Sequence, residues 1–260
     1  MDDAANNRAS NDLIVEVCVD SLESAVAAER GGAKRVELCG ALQEGGVTPS
    51  AGLIAAARKK VSVALHVMIR PRAGDFYYSA DEFSVMSRDV LMAKQLGADG
   101  VVFGILDLDG RVDISRTRQL VDLARPLKTT FHRAFDMSSD LLQSLQDVVE
   151  AGANRILTSG GAQSALEGAG ILRELVSASS ERIIIMAAGG ISDQNIEAVI
   201  KQTGVREIHV GLRTSVASPM LFVNENILMG TIKGQEYQRF VVTEDSVKRL
   251  IRAAGRTVES

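Results

Sequence analysis

The chain has 260 residues, 46% hydrophobic and 24% charged, with a formal net charge of −4. That balance fits a globular protein and gives no basic surface for nucleic acid. No apolar run approaches the ~20 residues that cross a bilayer as a helix. The polar opening, residues 1–11, lacks the basic and apolar regions of a signal peptide. It is expected to be a disordered tail, and residues 12–260 one domain. Two cysteines in so long a chain do not form a disulfide framework. A reducing compartment, cytoplasmic and nuclear, is expected.

Short apolar or β-branched runs alternate with helical patterns along the chain. Strands are predicted at 13–19, 35–39, 64–70, 100–104, 129–132, 155–158, 182–187 and 207–211. Helices are predicted at 22–30, 50–59, 80–96, 113–124, 139–151, 164–177, 193–202 and 244–254. Eight strand–helix units in about 250 residues is the count of a single-domain (β/α)8 TIM-like barrel. A doubly wound open sheet is the rival arrangement. A weak repeat favours the barrel: Gly-Ala-Lys-Arg-Val (32–36), Gly-Ala-Asp-Gly-Val (97–101), Gly-Ala-Asn-Arg-Ile (152–156) and Gly-Val-Arg-Glu-Ile (204–208). Each joins a helix to a strand, and together they precede strands two, four, six and eight.

In such barrels chemistry sits at the C-terminal strand ends and the loops that follow. Strand one ends in Glu16 and Cys18, and strand two in Glu37 and Cys39. Residues two apart on a strand share a face, so each glutamate points the same way as its cysteine. Strands joined by one crossover helix are often neighbours. The two sulfurs are therefore expected close together at one rim, where a thiolate pair suits a soft metal such as Cu(I). Structural zinc prefers four ligands, and the further donors here are glutamates and histidines distant in the chain. Two small buried hydrophobes is the plainer alternative for the cysteines.

The remaining strand ends add Arg70, Arg72, Asp75, His132, Arg133, Asp136, Ser159, Gly189, Gly190 and His209. His132 is the best acid/base candidate, with Glu37 beside it. His209 reads more readily as a hydrogen-bonded core histidine than as a site residue, and His66 as structural. The glycine turns at 158–161 and 188–192 resemble phosphate cradles, although Ser192 could simply cap a helix. The arginines could anchor an anion bidentately or answer Glu16, Glu37, Asp75 and Asp136. Apart from the turns that enter the strands, few charges are expected inside the barrel. Residues 219–234 are too apolar for free solvation and are expected to fold over the barrel or to lie in a subunit contact.

Several ordered motifs carry a family resemblance. They are Glu-Val-Cys-Val-Asp-Ser (16–21), Arg-Val-Glu-Leu-Cys (35–39), Glu-Gly-Gly-Val-Thr-Pro-Ser (44–50), Met-Ile-Arg-Pro-Arg-Ala-Gly-Asp-Phe (68–76), Thr-Phe-His-Arg-Ala-Phe-Asp (130–136), Ile-Leu-Thr-Ser-Gly-Gly (156–161) and Ser-Ala-Leu-Glu-Gly (164–168). From about Leu13 to about His209 the chain resembles the CutC family of copper homeostasis proteins, nearer its animal form. The resemblance implies a TIM-like barrel, Cu(I) bound by Cys18 and Cys39, a cytoplasmic and nuclear location, and homo-oligomers, with a tetramer expected. It implies no enzyme activity. The alternative is a barrel enzyme acting on a small anionic metabolite, phosphorylated or not, with His132 or Glu37 as acid or base and Arg70, Arg72 and Arg133 as anchors.

Overall fold

The computed structural model describes residues 13–224, 226–227, 229 and 236–255. The expected tail at 1–11 lies outside the described residues. Eight parallel strands close into a barrel in chain order. They are β1 (Ile14–Val19), β2 (Arg35–Leu38), β3 (Ala64–Met68), β4 (Gly100–Phe103), β5 (Lys128–Phe131), β6 (Arg155–Thr158), β7 (Ile184–Ala187) and β8 (Glu207–Val210). Helices α1 (Leu22–Arg30), α2 (Ala51–Lys60), α3 (Ala80–Gln95), α4 (Ile114–Ala124), α5 (Leu141–Ala151), α6 (Ala169–Ser179), α7 (Ile196–Thr203) and α8 (Glu244–Gly255) follow the strands in turn. An antiparallel hairpin, β9 (Arg213–Ala217) with β10 (Gln238–Val242), is inserted between β8 and α8. Its strands went unread in the sequence because their faces are mostly exposed and carry no alternating apolar pattern.

Strand alternation decides what faces the barrel axis. Val15, Val17 and Val19 of β1, Val36 and Leu38 of β2, and Leu65 and Val67 of β3 join the main apolar core between barrel and helices. Burial of each such side chain contributes roughly 1.5–3 kcal/mol. The intervening residues, Glu16, Cys18, Arg35, Glu37 and His66, then face inward, and a one-residue slip would reverse both sets. Helix starts are fixed locally: Ser79 caps α3 in a reciprocal capping box with Glu82, and Asp140 caps α5.

One expectation is corrected. The barrel interior is rich in charge: Glu16, Arg35, Glu37, His66, Arg155 and Glu207 are all buried strand residues. Arg35 and Arg155 begin β2 and β6, as the predicted strands have them, but their side chains are buried. Arg35 bridges Glu16 and Glu207, each at 2.5 Å, and Arg155 grips Glu207 at 2.5 and 3.0 Å. Glu16, Arg35, Arg155 and Glu207 are paired with one another, which is what allows their burial.

Candidate metal centre

Cys18 and Glu37 are register partners on β1 and β2. Cys39 follows the last residue of β2, where its N–H donates to the Val19 carbonyl at 2.9 Å. This stagger brings Cys18 Sγ to 3.7 Å from Cys39 Sγ. Glu37 Oε2 stands 3.2 Å from the first sulfur and 3.5 Å from the second. Closure of the barrel adds β8: Glu16 and His209 are register partners, and His209 Nδ1 lies 2.7 Å from Glu16 Oε1. The other ring nitrogen, Nε2, faces Glu37 Oε2 at 3.8 Å. The Glu37 Oε1 atom is buried without a hydrogen-bond partner.

The electrostatics follow from burial and pairing. Hydrogen bonding with Cys39 does most to bring the Cys18 thiol down to about 5, against burial and with help from His209 and Glu37. The same bond, together with burial, pushes Cys39 well above the usual thiol range. The pair therefore gives up one proton readily and keeps the other. Burial raises Glu37 well above the carboxylate range, and the negative charges of Cys18 and Glu16 add to this. Burial would also raise Glu16, but Arg35, His209 and His66 outweigh it and hold this carboxyl below its ordinary value. Burial alone would depress His209, but Glu37, Cys18 and Glu16 outweigh it and lift the ring well above the usual histidine range.

Access is asymmetric. Cys18 is 7% exposed and Cys39 is fully covered. The cover is the turn around the 3-10 segment Leu42–Glu44. Arg70 clamps that turn: Nη1 donates to the Glu44 and Gly46 carbonyls at 3.0 Å, and Nη2 to Gly74 O at 2.7 Å. Gly46 has φ +85°, and a Cβ there would stand 3.2 Å from Cys39 Sγ, so a side chain would be strained and would press on the thiol.

The other expected site residues are placed elsewhere or are already engaged. Glu16 and Glu37 do not answer Arg70 or Arg133, as the sequence suggested; Arg35, the cysteines and His209 are their neighbours. Arg72 pairs with Asp75 at 3.0 Å and Glu82 at 2.5 Å. Arg133 pairs with Asp136 at 2.7 Å and donates to Ser159 at 2.8 Å. The glycine turn after β6 is a cradle, but Asp136 fills it by accepting from Thr158 Oγ1, Ser159 N and Gly161 N. After β7, the Gly189 carbonyl takes Ala165 N and the Gly190 carbonyl takes Asn195 Nδ2. His132 is buried at the end of β5, its ring 5.0 Å from Phe76. Its Nδ1 accepts from Ala134 N at 3.2 Å, and Nε2 has no partner. Gly104 is obligatory beside it, because a Cβ there would lie 2.5 Å from Nδ1. Burial, with Arg70 nearby, lowers this ring to about 3.

Sequence reasoning missed Arg35 as a support of the centre. The available signal was its position two residues before Glu37, on the same strand face.

Residues 13–214 match the model of the CutC family. The chain is 44% identical over 250 residues to a mouse protein named copper homeostasis protein cutC homolog, covering 96% of this chain and 92% of that one. A CutC family protein from Chromobacterium violaceum is 46% identical over 245 residues, covering 94% of this chain and 99% of its own. A solved CutC structure from Streptococcus agalactiae superposes with a TM-score of 0.72 at 34% identity, covering 76% of this chain and 97% of the other. A thiamine phosphate pyrophosphorylase from Pyrococcus furiosus, 18% identical with a TM-score of 0.57 over 95% of this chain and 98% of its own, shares the fold alone. With a family match over most of its length and relatives this similar in animals and bacteria alike, the chain belongs to the CutC family.

Proposed function

We propose that this chain acts in copper homeostasis and binds one Cu(I) through the thiolates of Cys18 and Cys39. The observation that carries this reading is the 3.7 Å approach of the two sulfurs at the end of β1 and β2. Names given to mouse and human relatives, copper homeostasis protein cutC homolog, supply the metal. The donor chemistry agrees: thiolate is the preferred ligand of a soft monovalent ion. One thiol of the pair ionises easily, and a bound cation would draw off the second proton. Copper is cargo in this reading. The residues that hold it are few and lie next to a turn, so release needs only a local opening. Free thiols at such a site need a reducing compartment.

The enzyme alternative has less support, since Arg70, Arg72 and Arg133 spend their hydrogen bonds on the protein itself.

The test is titration of the reduced protein with Cu(I) against a chromophoric Cu(I) chelator. One equivalent is expected for the wild type and none for Cys18→Ser/Cys39→Ser. Equal stoichiometry and affinity in both proteins would remove the assignment.

A further inference from the structure

We propose that the Met68 thioether is a third ligand to Cu(I) beside the thiolates of Cys18 and Cys39, making a three-sulfur centre selective for a soft monovalent ion. The inference rests on the cysteine pair of the copper reading and adds one ligand to it.

The spacing of the sulfurs leaves a place for a third donor. With metal–sulfur bonds of about 2.3 Å, a linear S–M–S unit sets its sulfurs about 4.6 Å apart, and a trigonal one about 4.0 Å apart. The separation here is 3.7 Å. Reaching the trigonal value takes about 0.3 Å of movement, against about 0.9 Å for the linear one. A metal held by the pair at this spacing is bent, with one side open to a further ligand.

Strand register supplies that ligand. β2 and β3 pair with Glu37 opposite His66 and Leu38 opposite Val67. One step further, the same register sets Cys39 beside Met68. Met68 follows His66 by two residues and shares its inward face, while Val67 between them joins the main core outside the barrel. Met68 is 5% exposed and lies in one buried cluster with Cys18, Cys39 and Val102, apart from the main core. Leu42, from the turn that covers Cys39, packs against this cluster. Neighbouring strands are about 4.8 Å apart, and methionine is unbranched with three rotatable bonds. Side-chain rotation alone therefore carries the thioether within reach of a metal at the two thiolates.

Chemistry decides between Met68 and the Glu37 carboxylate, whose Oε2 lies 3.2 and 3.5 Å from the two sulfurs. Thioether sulfur is a soft donor that suits Cu(I), whereas carboxylate oxygen suits harder ions. Two thiolates already carry one negative charge more than Cu(I) neutralises. A carboxylate ligand would bury a further charge at the metal, and the neutral thioether adds none. Methionine is also a common filler of irregular cores. A filler alone could be exchanged for leucine with no effect on the metal, and the test turns on that difference.

The test uses the full chain, reduced and loaded with one equivalent of Cu(I). In selenomethionine-labelled protein, X-ray absorption at the copper edge is expected to show two sulfurs and one selenium at bonding distance. Met68→Leu keeps the apolar volume, and the labelled variant is expected to lose the selenium neighbour while still binding one Cu(I). Its affinity, measured against a chromophoric Cu(I) chelator, is expected to fall at least about tenfold, the lower end of what loss of even an outer support costs a metal site. Copper with two sulfurs and no selenium in the labelled wild type overturns the proposal and leaves the copper reading standing. A selenium neighbour that persists in Met68→Leu, or an unchanged affinity there, does the same. The wild-type spectrum needs no variant, so it decides the matter even where Met68→Leu fails to fold. Copper binding unchanged in Cys18→Ser/Cys39→Ser, or none in the wild type, removes the copper reading and the third ligand with it.

Discussion

His209 and Glu16 are 193 residues apart in the chain, yet His209 Nδ1 sits 2.7 Å from Glu16 Oε1. Closure of the barrel by β8 against β1 makes this contact, and it couples the ion network lower in the barrel to the sulfur pair above. Glu16 is where the two meet, since it also takes Arg35 at 2.5 Å. Glu16→Gln leaves Arg35 buried with one carboxylate instead of two and removes one of the charge partners of His209. A loss of roughly 3 kcal/mol in unfolding free energy is expected, the scale for removing one member of a buried ion pair. Urea denaturation measures it, and a change within about 0.5 kcal/mol, the scatter of neutral surface changes, would contradict the network's role.

The Cys18 thiol is brought down to about 5, mainly by its hydrogen bond with Cys39. Because the thiolate is the nucleophile, alkylation of Cys18 should stay near its plateau rate from pH 8 to about pH 6 and fall only as pH drops through about 5. In Cys39→Ser the hydroxyl is a poorer partner, and the midpoint should move up towards the ordinary thiol value near 8.5. Peptide mass spectrometry after timed iodoacetamide exposure gives both profiles. A wild-type midpoint already near 8.5 would refute this account.

Much of this arrangement was legible in the sequence. The barrel could be read from eight alternating units and from repeated Gly-Ala turns, because strand and helix periodicities are local. The sulfur pair was legible because β1 and β2 are consecutive, joined by one short helix, and Glu16, Cys18, Glu37 and Cys39 declare their faces by spacing alone. His209 was not legible as a neighbour, since only closure of the whole barrel puts strand eight beside strand one. The partners of the arginines were also hidden. Arg70 spends its donors on the carbonyls of Glu44, Gly46 and Gly74, and backbone acceptors leave no mark in residue types. Asp136 in the glycine turn after β6 gives a similar lesson: a nest for an anion can be filled by a carboxylate of the same chain.

Two buried imidazoles set the acid limb of stability. Burial, mainly, lowers His132 to about 3 and His66 to about 4, against about 6.5 unfolded. At these two rings the unfolded chain therefore binds more protons than the folded one below about pH 6.5. The contribution of each ring is complete above that value and is lost as pH falls towards 4 and 3, at up to about 1.4 kcal/mol per pH unit per ring. Urea midpoints at pH 7, 6 and 5 should decline on this slope. His132→Asn keeps an oxygen to accept from Ala134 N and should flatten the decline by one ring's share. An identical slope in the variant would rule out His132 as the source.

The turn over Cys39 is held shut by the Arg70 fork. Lysine at this position offers a point charge that cannot reach three carbonyls at once. Losing two hydrogen bonds of about 1 kcal/mol each raises the open population roughly tenfold or more. In a Cys18→Ser background, labelling of Cys39 by a disulfide reagent should accelerate by that factor in Arg70→Lys. Equal rates would mean that some other contact, and not Arg70, governs access to the buried thiol.

The described apolar residues between β9 and β10 face solvent in the single chain and do not pack on the barrel. Met220, Leu221, Phe222, Val223, Ile227 and Met229 are all exposed, and Leu221 completely so. Six large apolar side chains gathered on one connection are costly to hydrate, and association would cover them. A homo-oligomer, expected as a tetramer, should appear in light scattering of the purified protein. Leu221→Glu/Phe222→Glu places two charges in that contact and should shift the protein to smaller species while leaving the barrel folded by circular dichroism. A wild type that is monomeric at micromolar concentration, or a double variant of unchanged mass, would show that this segment is not what joins the subunits.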